Sequence, residues 1–225
     1  MRAMILAAGR GERMRPLTDH CPKPLLKVGG KALIEYHLSA LHRAGISEVI
    51  INLSHLGAQI QTTLGSGSKY GLKIRYSDEG DSALETAGGI QKALPLLGKE
   101  PFVVINGDIW CDFPLSSLHL GAGKLAQLVM VDNPAHNPNG DFWLHNGQLS
   151  NEQTNPNSDP KLTFSGIGLY HPDLFQALPA GAAPLAPLLK TIMQQQQITG
   201  LHHSGEWLDI GTPQRLHDLD QRLQS

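Results

Sequence analysis

The sequence predicts an α/β fold, a single doubly wound and largely parallel sheet with a small antiparallel insertion. Two observations carry this prediction. Through the first 106 residues, short apolar β-branched runs alternate with longer stretches of helical period, an order that yields a parallel sheet covered by helices. Further on, two short apolar runs flank Asn146-Gly147, a hairpin signal foreign to βαβ units.

Arg2–Ala8, Glu48–Asn52, Lys73–Tyr76 and Phe102–Asn106 read as strands, and the first, second and fourth are apolar enough to be buried on both faces. Between them, Lys31–Ala44 sets Ile34, Leu38 and Leu41 along one helical side and stops at Gly45. Leu56, Ile60 and Leu64 recur every four residues and mark a second helix. A third starts near Thr86 and runs towards Leu94, with Pro95 as its terminator or kink. Leu125–Val131 is a further buried strand, followed by a loop rich in Pro, Asn and Gly at 133–140. Phe142–Leu144 and Gln148–Ser150 form the hairpin, and Asn151–Pro160 is a polar loop. Leu162–Tyr170 resumes as strand, Pro184–Gln195 as helix, Ile198–His202 as strand and Pro213–Leu223 as a closing helix. No internal repeat or interdomain linker stands out, so one domain over 1–225 is expected.

Composition narrows the possible functions. Eighteen Lys+Arg against 20 Asp+Glu leave a net charge of −2, with no general attraction for nucleic acid or anionic lipid. No apolar run approaches the roughly 20 residues that span a bilayer. The stretch Ala3–Ala8 is too short for a signal-peptide core and is followed at once by glycine and charge. Cys21 and Cys111 are too few for a disulfide framework or a thiolate zinc site, which points to reduced thiols in the cytoplasm. Of the eleven histidines, neighbouring His202 and His203 would point to opposite faces of a strand, and His37 and His42 lie five apart on a helix. Neither pair chelates well, and histidine-bound zinc is not expected.

Chemistry concentrates in Leu6-Ala7-Ala8-Gly9-Arg10-Gly11-Glu12-Arg13-Met14-Arg15-Pro16, with Pro22-Lys23-Pro24 shortly after. Small residues at Ala7, Ala8, Gly9 and Gly11 let backbone N–H groups approach a polyphosphate, and Arg13, Arg15 and Lys23 offer charge-assisted contacts to its oxygens. Two familiar phosphate motifs do not fit. Met14 occupies the last glycine position of a dinucleotide fingerprint, and no Gly-Lys-Ser/Thr follows for a P-loop. Asp108 follows the strand Phe102–Asn106, at the carboxyl end where ligands of open α/β sheets bind, and Asp209 lies in a short turn, Trp207–Thr212.

Gly9, Gly11, Arg13 and Pro22-Lys23-Pro24 resemble the signature of the sugar-1-phosphate nucleotidyltransferases. The resemblance continues in family order through Leu84–Gly89, Asn106-Gly107-Asp108, Ser165–Tyr170 and Trp207–Thr212, nearly the whole chain. Within that family the short chain is most similar to the bacterial uridylyltransferases that act on N-acetylmuramate α-1-phosphate in peptidoglycan recycling. The resemblance implies a Rossmann-like nucleotidyltransferase fold, with a nucleotide part over about 1–115 and a sugar-phosphate part over about 116–225. It implies UTP and a sugar 1-phosphate as partners and Mg²⁺ as cofactor, held by Asp108 and Asp209.

By the same resemblance, Arg13 stabilises charge building on pyrophosphate and Lys23 bridges the attacking phosphate and the α-phosphate. Leu6, Ala7, Ala8, Gly9, Gly11 and Glu12 then surround the nucleotide together with Thr86, Ala87 and Gly88, and the Gly88-Gly89 pair lets backbone approach a flat base. Glu85 is as readily a surface residue as a ligand contact. On the sugar side, Asn106, Gly140 and Asp141 match family positions. Glu152, in Glu152-Gln153-Thr154, is the nearest counterpart of a Glu-Lys-Pro motif whose lysine and proline are missing. That departure suits a bulky sugar such as N-acetylmuramate. Glucose or mannose 1-phosphate, phosphocholine with CTP, and a noncatalytic nucleotide-binding regulatory subunit stay open as alternatives.

Overall fold

In the computed structural model, residues 1–80, 84–153, 155 and 159–224 are described. Along the chain, β1 (Arg2–Leu6) leads to a small hairpin of β2 (Lys27–Val28) and β3 (Lys31–Ala32). Then come α1 (Leu33–Arg43), β4 (Glu48–Leu53), α2 (Gly57–Leu64), β5 (Lys73–Asp78), α3 (Glu85–Leu97) and β6 (Phe102–Asn106). The second half carries β7 (Ile109–Cys111), β8 (Ala126–Val131), β9 (Phe142–His145), β10 (Gln148–Ser150) and β11 (Lys161–Tyr170). It closes with α4 (Asp173–Gln176), α5 (Leu185–Gln194), β12 (Ile198–His203), β13 (Trp207–Asp209) and α6 (Pro213–Gln224).

Nine of these strands form one sheet in the order β5-β4-β1-β6-β11-β8-β12-β10-β9. β1, β4, β5 and β6 are mutually parallel, as expected. β11 runs against both β6 and β8, β8 and β12 are parallel, and β9 and β10 are antiparallel. The sheet is therefore mixed rather than largely parallel. A parallel partner requires a crossover back to the start of the sheet. Between β8 and β11 the described chain offers only the β9–β10 hairpin, so β11 re-enters from the end that β8 left.

Both faces are covered. Residues alternate along β1, so Ala3 and Ile5 join one core with Ile34, Leu38 and Leu41 of α1 and Ile60 and Leu64 of α2. Met4 faces the other core, with Ile90 and Leu97 of α3, Phe175 of α4 and Leu189 and Ile192 of α5. A third cluster joins Met14, Leu26, Val28 and Leu33 to Ile210, Leu216 and Leu219, anchoring α6 beneath the glycine loop.

Some boundaries moved for identifiable reasons. β1 stops at Leu6 because the Ala7 N–H donates to the Asn52 side chain instead of a ladder. α3 carries Pro95 inside it and ends only at Gly98, whose N–H donates to Leu94 O. The Trp207–Thr212 turn begins as a strand, β13, paired antiparallel with β7 through Trp207–Cys111 and Asp209–Ile109. That pairing joins segments about 100 residues apart and leaves no local signature.

His202 and His203 do face different partners, Asp132 Oδ1 at 2.9 Å and Asp112 Oδ1 at 2.6 Å. His203, Asp112 and Cys111 also gather ligand atoms within 4.8 Å of one another. Burial pushes the Cys111 thiol up to about 11, so its sulfur stays protonated at neutral pH.

His37 of α1 is buried, and its Nε2 has no hydrogen-bond partner among the described residues. Burial drives its pKa down to about 4, against smaller opposing pulls from the Asp108 charge and the Ile109 backbone. Below pH 6.5 the unfolded chain takes up a proton that the native chain refuses until about pH 4, so stability falls as pH drops through that window. By pH 5 the loss from this residue should be about 2 kcal/mol. Urea unfolding at pH 7.5 and 5.0 should show a steeper decline for the natural protein than for His37→Leu; equal declines would contradict it.

Candidate active site

The glycine loop leaves the carboxyl end of β1 and is tied down from below. Asn52 Oδ1 accepts the Ala7 N–H at 2.6 Å, and Asn52 Nδ2 donates to Glu79 Oε1 at 2.7 Å. Glu79 Oε2 in turn accepts the Leu84 N–H at 3.3 Å, just ahead of α3. Asn52 and Glu79 are both buried, so this chain of bonds fixes three strand ends and a helix start against one another. Asn52→Ala would leave the Ala7 N–H and Glu79 without these partners. We expect a loss of about 2 kcal/mol in chemical unfolding; a change below the error of the measurement would show the network to be incidental.

Past Ala8 the loop turns. Gly11 has φ 66°, and a Cβ there would lie 2.9 Å from Thr18 Cγ2, so glycine is required by the protein itself. Gly9 differs, because the space its missing Cβ would occupy is open. Glu12–Met14 then form one 3₁₀ turn, held by Met14 in the third core cluster, which leaves Arg13 exposed.

A cavity of about 520 Å³ opens above these strand ends. Among the residues anticipated from sequence, Leu6, Ala7, Ala8, Gly9, Gly11, Glu12, Arg13, Lys23, Thr86, Asn106 and Asp108 all line it. So do Glu85, which the sequence left evenly weighed, and Arg10, Asn52 and Glu79, to which the sequence assigned no role. Arg15 does not; its guanidinium lies 3.4 Å from Asp19 Oδ1. Ala87 and Gly88 are outside its lining; both N–H groups donate to Ala183 O, at 2.9 and 3.1 Å. A Cβ on Gly88 would crowd Gly181 O, and one on Gly89 would crowd Glu79 Oε1, so both positions need glycine for the protein's own packing.

The charge pattern is strongly local. Lys23 Nζ sits 2.7 Å from Asp108 Oδ2, with the lysine side chain only 9% exposed against 38% for the aspartate. Arg10 and Arg13 both line the cavity and form no ion pair among the described residues. Ile210 N–H donates to Asp108 O at 2.8 Å, and the β7–β13 register sets Asp209 opposite Ile109. Asp108, in the turn just ahead of β7, and Asp209, the last residue of β13, therefore stand at one corner. Asp209 is outside the cavity lining, although Gly211 is part of it. Asp209 Oδ2 is engaged by Arg215 at 2.9 Å and His136 at 3.3 Å. Both carboxylates keep Oδ1 free of hydrogen bonds among the described residues, a pair of hard oxygen donors that suits a divalent cation such as Mg²⁺.

A second cavity, about 700 Å³, adjoins the first and shares Glu85, Thr86 and Asn106 with it. Gly140 and Asp141 line it as anticipated. The Asp141 carboxylate is already committed, accepting from Asn137 Nδ2 at 3.0 Å and from the Phe164 N–H at 2.8 Å, so it shapes the loop. Glu152 lines neither cavity; it is exposed just past β10, with its N–H on Ser150 Oγ. Thr154 lies outside the described residues. The wall is completed by Phe142, Phe164 and the first two turns of α5, including Leu185, Ala186, Leu189 and Lys190. At the seam Glu85 has φ 56°, in the left-handed region that a glutamate seldom adopts, which marks it as more than a surface residue.

A model of the nucleotidyl transferase family matches residues 2–143. The chain is 51% identical over 226 residues to the N-acetylmuramate alpha-1-phosphate uridylyltransferase of Neisseria meningitidis serogroup B, covering 97% of this chain and 96% of the relative. It is 32% identical to the enzyme of the same name from Caulobacter vibrioides, covering 98% and 96%. Among solved structures, a UDP-glucose pyrophosphorylase complexed with UDP-glucose superposes with a TM-score of 0.75 at 19% identity, covering 98% of this chain and 97% of that one.

Proposed function

Because the chain belongs to the nucleotidyl transferase family, we propose that it transfers a uridylyl group from UTP to N-acetyl-α-D-muramic acid 1-phosphate, giving UDP-N-acetylmuramic acid and pyrophosphate. The observation that carries this reading is the pair of adjoining cavities that meet at Glu85, Thr86 and Asn106, with Lys23 and Asp108 in the lining of the first. One is floored by a glycine loop with two unpaired arginines, and the other is larger and walled by aromatic and aliphatic side chains. Such a pair accommodates a polyphosphate and a bulky sugar phosphate at once.

Transfer joins two anions, so the protein's task is positioning and neutralisation rather than proton abstraction. A sugar-phosphate oxygen attacks the α-phosphorus of UTP. The α–β bridging P–O bond breaks, and pyrophosphate departs with the electron pair. Lys23, in the lining of the first cavity, draws the attacking phosphate and the α-phosphate together. Arg13 and Arg10 receive the β- and γ-phosphates and the charge that grows on the leaving group. Ala8–Gly11 line the first cavity, where backbone N–H groups can bind phosphate or base edges. Asp108 and Asp209 would hold Mg²⁺, which supplies additional neutralisation of the triphosphate. No helix among the described residues is long and apolar enough to cross a membrane. A cytoplasmic place in peptidoglycan recycling, where UTP is available and Cys21 and Cys111 stay reduced, fits this chemistry.

The test is a matrix of UTP, CTP and dTTP against the 1-phosphates of N-acetylmuramate, N-acetylglucosamine, glucose and mannose, and against phosphocholine, with Mg²⁺. UDP-N-acetylmuramate with stoichiometric pyrophosphate should be the best product. Absence of any product from N-acetylmuramate 1-phosphate would overturn the reading.

A further inference from the structure

N-acetylmuramate differs from N-acetylglucosamine by a lactyl ether, which adds a methyl group and a carboxylate. The second cavity contains three ionisable groups, Glu85, Asp141 and Lys190. Glu85 stands at the seam with the first cavity, and both oxygens of Asp141 are occupied by Asn137 and the Phe164 N–H. Lys190 is the one cation lining this cavity, and its ammonium has no ion pair among the described residues.

We infer that Lys190 is the specificity-determining residue for the acidic sugar, pairing its ammonium with the lactyl carboxylate; this rests on the reaction proposed above. Helix geometry supports the placement. Ala186 and Lys190 are four residues apart on α5, so they stack on one face, and both line the cavity. Side chains on a helix lean towards its N-terminus, so the lysine stem runs back over Ala186, whose small side chain leaves room for it. Phe142, Phe164 and Leu189 supply an apolar surface for the lactyl and acetyl methyl groups. Charge sorting then orients the sugar. Its phosphate lies towards Lys23 of the first cavity, and the carboxylate is repelled by Glu85 at the seam and drawn to Lys190. A neutral sugar gains nothing from Lys190, and the larger volume would leave it loosely held.

The experiment compares N-acetylmuramate 1-phosphate with its lactamide, which has the same bulk and no charge, as substrates with UTP. Lys190→Met should lower kcat/KM for the acid about ten- to hundredfold, through KM. It should leave the amide within about twofold and the KM for UTP unchanged, because an exposed helix position tolerates methionine. Lys190→Arg should restore most of the acid preference, and Lys190→Glu should fall below Lys190→Met. Equal losses on acid and amide would show a structural role, and no loss on either would remove Lys190 from recognition; both overturn the inference while the proposed reaction stands. If the natural protein leaves N-acetylmuramate 1-phosphate unused, the reaction and the inference fall together.

Discussion

Lys23→Met should cut uridylyl transfer by about 10²–10³-fold and leave the fold essentially intact. The lysine is nine-tenths buried, yet its partner Asp108 is more than a third exposed, so the carboxylate left behind remains solvated. Methionine keeps the packing of the aliphatic stem and removes only the charge. The loss should appear in kcat as well as in KM, because the ammonium is asked to hold two phosphates together at the moment of transfer. Steady-state kinetics with a parallel unfolding curve separates this from collapse. A variant with turnover within tenfold of the natural protein, or one that no longer folds, would remove Lys23 from the role proposed for it.

The second large effect concerns the carboxylate corner. Asp108→Asn and Asp209→Asn each remove a formal charge from the hard-oxygen pair, so either should raise the Mg²⁺ concentration for half-maximal rate at least about tenfold and lower the rate at saturation. Mn²⁺ binding followed by electron paramagnetic resonance, with UTP present, gives a readout independent of turnover and should weaken in step. The two positions differ in a useful way. Asp108 also pairs with Lys23, whereas Asp209 pairs with Arg215 and His136. If Asp209→Asn binds Mn²⁺ as tightly as the natural protein, Asp209 is a partner for Arg215 and His136 and no metal ligand.

These residues also show how far the sequence could be read. The loop from Gly9 to Arg13 was legible because everything that defines it is local: small residues after an apolar run, then basic ones, within a single stretch. The parallel strands β1, β4, β5 and β6 were legible for the same reason, as β-branched runs between segments of helical period. The antiparallel entry of β11 was not, since it depends on the absence of a crossover rather than on any property of Leu162–Tyr170. Asp209 was singled out, but its strand pairing with β7 was invisible from either segment alone. Asn52 reads as the end of a strand and Glu79 as a residue beyond one, and nothing in their neighbourhoods announces that they meet beneath Ala7. Lys190 looks like any solvent-facing helix lysine until α5 is laid against the hairpin. Arg15 and Gly88 have residue types that invite a ligand, and nothing local announces their contacts with Asp19 and the 181–183 segment.

The central claim is that the two cavities hold both substrates together, so that the sugar phosphate attacks UTP directly and no nucleotidyl-enzyme forms. The stereochemistry at phosphorus tests it without regard to rates. UTP made chiral at the α-phosphorus with sulfur and turned over with N-acetylmuramate 1-phosphate should give a product of inverted configuration, the mark of a single displacement. Retention would require two displacements and a covalent intermediate, and would contradict the account.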